Sequence, residues 1–177
     1  MNMLRKATAA LLVLSAVLFA GAASASDGDA FFEQSLGDYR AEIQAAQKAG
    51  KLGVLLMFEA EGCPYCRKMR QNVLSRQDVQ AYFRQRFTAF PVDVLGDVPV
   101  TAPDGREMTE KKFAAAMKVR GTPTFVFFGP DGSETARYAG ATRDADEFML
   151  LGRYVADGHY RNQSFDQFRA NATKGKQ

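Results

Sequence analysis

The sequence predicts an α/β fold in which a central mixed sheet is flanked by helices. Two strongly apolar segments, 52–58 and 121–128, have the length and composition of central strands that are covered on both faces. Segments with helical period lie between them, which is typical of parallel crossover connections. A tight turn and a returning strand over 129–138 then predict an antiparallel hairpin at the end of the sheet.

The first 25 residues have the layout of a secretory signal peptide. Arg5 and Lys6 form a basic region, residues 7–20 are apolar apart from two hydroxyl residues, and the small residues 23–25 suit cleavage after Ala25. The alternative is a membrane anchor, but spanning a bilayer takes about 20 apolar residues and this run is shorter. We therefore expect residues 1–25 to be a cleaved signal peptide and the protein to be periplasmic.

The remaining segment, residues 26–177, is long enough for one domain with a proper core. Two of the 23 basic residues lie in the predicted signal peptide, so 21 basic residues face 20 acidic ones and the net charge is +1. Such a balance gives no support for nucleic-acid binding. We expect a core at about 38–158 and a C-terminal tail at 159–177.

The first half of this domain is predicted to alternate helix and strand. Asp38 suits the N-cap of a helix that ends near Lys48, because its carboxylate can accept a hydrogen bond from a free N–H, and Gly50 stops the helix. The strand 52–58 comes next. Before the first helix, we expect an arm or short helix over 29–35. After the strand 52–58, we expect a helix over 63–73, a helical segment over 77–86 and a strand over 87–94.

The second half begins with a predicted loop or insertion, 96–105, which contains two prolines and several turn residues. A helix over 109–118 and a buried strand that starts at Pro123 follow it, and a long helix begins at Thr142. The polar tail from Tyr160 carries two aromatic residues suited to docking on the core, Phe165 and Phe168. The aromatic residues expected in the core are Phe83, Phe87, Phe90, Phe125, Phe127 and Phe148.

The two cysteines of the chain, Cys63 and Cys66, lie at a predicted strand-to-helix junction. A helix N-terminus favours a thiolate on Cys63, and Cys66 follows about one turn later, close enough for a disulfide. A bridge over so short a loop constrains the unfolded chain little, which favours redox chemistry over an inert structural bridge. Zinc takes about four ligands, and His159 is distant, so we expect no metal and no cofactor.

The segment Gly-Cys-Pro-Tyr-Cys, together with the segment 119–124 that ends in Gly-Thr-Pro-Thr, resembles the thioredoxin fold. The resemblance covers about residues 38–158. Within the thioredoxin-like superfamily, the chain is most similar to exported bacterial thiol–disulfide oxidoreductases, including thioredoxins associated with sulfur-oxidation systems. The resemblance implies that Cys63 is the exposed nucleophile, that Cys66 is the resolving cysteine and that the two form a redox-active disulfide.

The same resemblance implies which residues line the site. Pro123 matches a proline that follows a cis peptide bond beside the disulfide, and Thr122 precedes it. Gly140 matches a glycine near the substrate groove. Pro64 and Tyr65, between the cysteines, are expected to tune the redox potential and to line the surface that meets the client, although helix initiation and simple packing are alternative roles for them.

The sequence departs from the family where a proton acceptor is expected. Met57 stands where thioredoxins usually have a buried aspartate, and Ala89 replaces the lysine that often pairs with it. Glu59 and Glu61 are the nearest candidate acceptors for the proton of the resolving cysteine. Glu59 shares strand parity with Met57 and is expected to face the same side. The alternative for both glutamates is a solvated charge at the rim of the site.

Three basic residues of the predicted helix, Arg67, Lys68 and Arg70, either stabilise the thiolate or form a solvated face. The expected function is reduction of disulfides in client proteins by a monomer that a membrane electron donor re-reduces. A disulfide oxidase or isomerase is the first alternative. A non-catalytic thioredoxin-fold binding module is the second alternative.

Overall fold

A four-stranded sheet forms the centre of the protein in a computed structural model that describes residues 28–174. The predicted signal peptide, 1–25, lies outside the described residues, as do 26–27 and 175–177. The strands are β1 (Gly53–Glu59), β2 (Phe87–Asp93), β3 (Pro99–Thr101), β4 (Glu107–Thr109), β5 (Thr124–Phe128) and β6 (Glu134–Ala139). The helices are α1 (Tyr39–Lys48), α2 (Pro64–Met69), α3 (Gln77–Arg86), α4 (Glu110–Ala116), α5 (Ala145–Ala156) and α6 (Phe165–Lys174).

The strand order in the sheet is β2-β1-β5-β6. β1 and β2 are parallel, whereas β5 is antiparallel to both β1 and β6. The α/β fold class and the order of crossovers before a final hairpin are therefore confirmed. Residues 54–58 of β1 and all five residues of β5 are buried, as expected for central strands that are covered by helices on both faces.

The two faces of the sheet contribute to separate hydrophobic clusters. Alternate residues of β1 point to opposite faces, so that Met57 joins the cluster on the side of α2, α3 and α5, whereas Phe58 joins the cluster on the side of α1 and α4. Cys66 belongs to the same cluster as Met57. All six phenylalanines that we expected in the core are buried.

Several boundaries differ from the sequence-based expectations. The segment 96–105 is not a plain loop, because its residues 99–101 pair with β4 as a small antiparallel hairpin. The helix expected over 63–73 consists of α2 and a π-helical turn, Arg70–Leu74. The strand expected to start at Pro123 starts one residue later, at Thr124.

The C-terminal segment is more ordered than a polar tail. It forms a 3₁₀ turn (His159–Arg161) and then α6, which packs on α5. Phe165 is buried against Tyr154 in this contact, with ring centroids 5.5 Å apart, so its predicted docking role is confirmed. No helix among residues 28–174 is long and apolar enough to cross a membrane.

The segment 28–33, which we call the N-terminal arm, lies along the outer edge of β2. It begins with a 3₁₀ turn (Asp29–Phe31), and the Glu33 N–H donates a hydrogen bond to the carbonyl oxygen of Ala89 at 2.9 Å. The Phe31 ring is buried between helices, in edge contact with Phe83 at 5.5 Å. The arm therefore covers part of an edge strand and is anchored in the core.

Candidate active site

Cys63 and Cys66 form a disulfide at the N-terminus of α2, with their Cα atoms 5.3 Å apart. Cys63 is the N-cap residue, and its Sγ accepts a hydrogen bond from the backbone N–H of Cys66 at 3.1 Å. Pro64 occupies the first helical position, where its missing N–H leaves no donor unpaired. When the disulfide is reduced, the same N–H and the positive end of the helix stabilise a thiolate on Cys63.

The two sulfurs differ in their access to solvent. Cys63 is half-buried and lies in a loop that reaches the surface, whereas Cys66 is only 3 % exposed. Cys66 lies on the buried side of α2, in the hydrophobic cluster that contains Met57 and Met69. An incoming disulfide can therefore reach Cys63 first, and Cys66 can act only on a group that is already attached to Cys63.

The segment before β5 forms the wall opposite the helix. The Thr122–Pro123 peptide bond is cis, in agreement with the expectation from the resemblance. The carbonyl oxygen of Thr122 lies 3.5 Å from Cys63 Sγ. The N–H of Gly140 donates to the carbonyl oxygen of Pro123 at 2.8 Å, and its φ of +101° is a left-handed conformation that favours glycine.

Tyr65 is 61 % exposed on the outer side of the first turn of α2, and Thr122 is half-buried. The structure thus brings the expected lining residues together around the disulfide. An exposed aromatic ring beside an accessible sulfur offers an apolar contact for a protein client.

A cleft of about 300 Å³ opens behind the disulfide. Both candidate proton acceptors line it, but they differ in environment. Glu61 is exposed in the loop, whereas the Glu59 side chain is only 18 % exposed and ends β1 on the same face as Met57. The residues that line the cleft are Glu59, Ala60, Glu61, Gly62, Cys63, Cys66, Arg67, Arg70 and Asp93.

Arg70 does not belong to a solvated basic face. Its side chain is 20 % exposed, and its guanidinium donates to both carboxylate oxygens of Glu59, through Nε at 3.0 Å and through Nη2. Nη1 donates to Asp29 in the N-terminal arm. Burial lowers the pKa of Arg70, but the hydrogen bonds and charges of the two carboxylates outweigh it, so that the pKa is raised. Arg67 and Lys68 are exposed.

Sequence reasoning missed Asp93, which lies opposite Glu59 in the β1–β2 register and also faces the cleft. Its backbone N–H donates to the carboxylate of Glu110 at 3.2 Å. Burial raises the pKa of Glu110, and the charge of Asp93 adds to the rise although the hydrogen bond opposes it. The signal in the sequence was the position of Asp93 at the carboxyl end of a strand parallel to β1.

Among residues 28–174, no group of three or more histidine, cysteine, aspartate or glutamate side chains is arranged to hold a metal ion. His159 stacks on Phe168, with ring centroids 4.4 Å apart, and belongs to the α6 contact instead.

Comparisons with known proteins agree with this geometry. The family model described as a thioredoxin-like domain matches residues 39–156. A thioredoxin from Thermus thermophilus is similar at 33 % identity, over 69 % of this chain and 88 % of that chain, with a TM-score of 0.51. A thioredoxin-fold protein from Helicobacter pylori is similar at 19 % identity, over 84 % and 90 %, with a TM-score of 0.61. None of the curated proteins compared with the sequence matches it.

Proposed function

This chain belongs to the thioredoxin-like domain family, and on that premise we propose that it is an exported thiol–disulfide oxidoreductase that reduces disulfides in client proteins. The observation that carries the proposal is the difference between the two sulfurs. Cys63 is accessible at a helix N-terminus, and Cys66 is buried behind it within bonding distance. This arrangement suits a two-step exchange in which one cysteine attacks and the other resolves.

In the first step, the Cys63 thiolate attacks one sulfur of a client disulfide. A bond forms between Cys63 Sγ and that sulfur, the client S–S bond breaks, and the second client sulfur leaves as a thiolate. The N–H of Cys66 and the N-terminus of α2 stabilise the attacking thiolate. The side chains of Tyr65 and Thr122, with the cis-proline loop, lie where the client chain would pass.

In the second step, Cys66 loses its proton and attacks Cys63 Sγ. The mixed disulfide breaks, the client leaves with both of its sulfurs reduced, and the Cys63–Cys66 disulfide forms, so that two electrons have passed to the client. Glu59 is our preferred acceptor for the proton of Cys66, because its carboxylate is held in the shared cleft. Glu61 is the second candidate, and its exposure makes it the weaker one.

The cellular setting follows from the N-terminal sequence and from redox chemistry. A cleaved signal peptide would place the protein in the periplasm, which is oxidising, so the reduced form needs a supply of electrons. A membrane electron donor is the proposed source, and a role beside sulfur-oxidation proteins is the proposed context. The protein is proposed to act as a monomer.

The decisive test is capture of the mixed disulfide. In the Cys66→Ser variant the second step is blocked, so we expect disulfide-bearing clients to remain attached to Cys63 as complexes that a reductant releases. The Cys63→Ser variant is the matched control and should capture none. Equal capture by both variants, or by neither, would leave only a non-catalytic binding module.

The direction of electron flow needs a separate measurement. Equilibration of the mature protein with graded dithiol and disulfide buffers gives the reduction potential of the Cys63–Cys66 pair. A value at or below about −230 mV is expected for a reductant. A value of about −120 to −180 mV would instead identify a disulfide oxidase or isomerase.

A further inference from the structure

Arg70 links the end of β1 to the end of α2, on either side of the segment that carries Cys63 and Cys66. Glu59 ends β1 four residues before Cys63, and Arg70 begins the π-helical turn four residues after Cys66. The two hydrogen bonds between Arg70 and Glu59 therefore join these two positions in the cleft that Cys63 and Cys66 also line. A bidentate arginine–carboxylate pair is geometrically specific, because the planar fork fits the two oxygens in one orientation.

The N-terminal arm also contacts Arg70. Asp29 accepts a hydrogen bond from Nη1, and the guanidinium carbon lies 4.5 Å from the centre of the Phe32 ring. At Gly28, a Cβ atom would come within 2.1 Å of the backbone oxygen of Arg70, so the arm can lie this close only because the residue is glycine. The arm thus contacts Arg70 through a charge, a ring and the backbone, and does not line the cleft itself.

From this geometry we infer that Arg70 is a positioning residue for the resolving step: it holds the Glu59 carboxylate in the cleft beside Cys66, and the N-terminal arm holds Arg70. The inference rests on the proposed dithiol exchange and deepens it. A carboxylate at the end of a strand would otherwise turn towards solvent, where it is better hydrated. Pairing with Arg70 balances its charge and fixes its direction at the same time.

The assay follows the two steps separately. The reduced protein reacts with an excess of an aryl disulfide whose thiolate is coloured. The first phase releases one aryl thiolate, as Cys63 attacks and retains the other aryl group. The second phase releases the second thiolate, as Cys66 gives up its proton, attacks Cys63 Sγ and closes the disulfide. If Arg70 had only a structural role, replacing it would change the rates of both phases or of neither.

The variants are Glu59→Gln, Arg70→Met and the double variant. We expect each single variant to slow the second phase by about tenfold and to change the rate of the first phase by less than about twofold. The slowing of the second phase is smaller than the full contribution of a general base, because water can also accept the proton. The double variant should be no slower than either single variant, since both remove the same function. Arg70→Lys should recover part of the rate.

Arg76 provides the matched control, because it makes a bidentate pair with Asp78 on the surface, away from the cleft. Arg76→Met should leave both phases unchanged. A second phase of normal rate in Arg70→Met, or rate losses that multiply in the double variant, would overturn the inference. Failure of the wild-type protein to release a second thiolate would instead overturn the proposed function.

Gly28→Ala tests the arm while leaving the Glu59 and Arg70 side chains in place, and it also serves if Arg70→Met does not fold. The added methyl group displaces the arm from the backbone of Arg70. We expect a second phase between those of the wild type and Glu59→Gln. A second phase equal to that of the wild type would refute the role of the arm.

Discussion

Replacing Met57 by aspartate would restore the acid that thioredoxins usually have at this position, and we expect it to destabilise the oxidised protein strongly. Met57 is fully buried. Its neighbours in the β1 register are Pro91, which has no N–H, and Phe125, which has no polar atom in its side chain. Ala89, where the family often has lysine, supplies no charge. The new carboxyl group would therefore find no partner among these side chains.

For a carboxyl group that stays protonated in the core, two contributions to the loss are independent of pH. Removing a fully buried methionine side chain forfeits about 2–3 kcal/mol of hydrophobic stabilisation. Burying a carboxyl group without a hydrogen-bond partner adds about 1–3 kcal/mol. Together they amount to about 3–6 kcal/mol, which is a large part of the about 5–15 kcal/mol by which a domain of this kind is stable. At pH 7 a further cost of up to about 4 kcal/mol is added, because the unfolded chain releases this proton near a pH of about 3.9.

The assay is urea unfolding of the oxidised Met57→Asp protein at several pH values, with Met57→Leu as the control. The leucine variant should lose less than about 1.5 kcal/mol, because it keeps the volume and the apolar character. As the pH falls towards about 4, where the carboxyl group of the unfolded chain also becomes protonated, the aspartate variant should lose the additional cost and keep only the deficit of about 3–6 kcal/mol. A loss below about 1 kcal/mol at neutral pH would show that water reaches this position, and the burial argument would be wrong.

Two further predictions concern titratable groups. Burial, with the charges of Glu110 and Glu42, raises the pKa of Tyr39, so its ionisation is disfavoured in the folded state. The stability that this neutral side chain contributes is present below about pH 10 and is lost above it. Because phenylalanine cannot ionise, Tyr39→Phe should move the midpoint of alkaline unfolding, followed by circular dichroism, to higher pH. Arg169→Met should lower the free energy of unfolding at neutral pH by about 2–3 kcal/mol, because the side chain of its partner Glu147 is only 1 % exposed. Burial raises the pKa of Glu147, but the hydrogen bonds that its carboxylate accepts outweigh burial, so that the pKa is lowered. The stability that the Glu147–Arg169 pair contributes is therefore lost in acid. Urea unfolding should show the free energies of the wild type and of Arg169→Met converging as the pH falls.

The parts of the fold that the sequence predicted well are those with strong local signals. Segments 53–59 and 124–128 are nearly continuous apolar runs, and such runs are typical of strands that are buried in the middle of a sheet. Asp38 caps α1 as expected, with its carboxylate accepting from the N–H of Ala41 at 2.9 Å. In each case the residues that decide the structure are neighbours in the chain.

The elements that the sequence did not predict depend on distant contacts. β3 and β4 have three residues each, too few to show an alternating pattern, and Pro99 suggested a loop. α6 carries few apolar residues, and it is held by Arg169, which pairs with the buried Glu147 of α5, 22 positions earlier. Its composition alone is that of a solvated tail.

The candidate site shows the same division. The cysteine pair and the cis bond before Pro123 could be predicted, because short motifs carry them. The environment of Arg70 could not, since its partner Asp29 lies 41 positions away, in a segment where the sequence predicted an arm or short helix but no contact with the site. A basic residue on a helix is usually solvated, and Arg70 is an exception because both Glu59 and the folded arm contact its guanidinium.

The position of the carboxylate explains why this site has an arginine at all. A buried aspartate at position 57 would be surrounded by protein, whereas Glu59 lies one pleat further along the same face, at the end of β1. There the carboxylate is four-fifths buried but within reach of solvent, so it needs both a counter-charge and a fixed direction. Arg70 supplies both, and the arm prevents Arg70 from turning away. On the proposed mechanism, the methionine at position 57 and the contact of the arm with Arg70 belong to one arrangement, in which the carboxylate lies at the end of β1 and Arg70 and the arm hold it there.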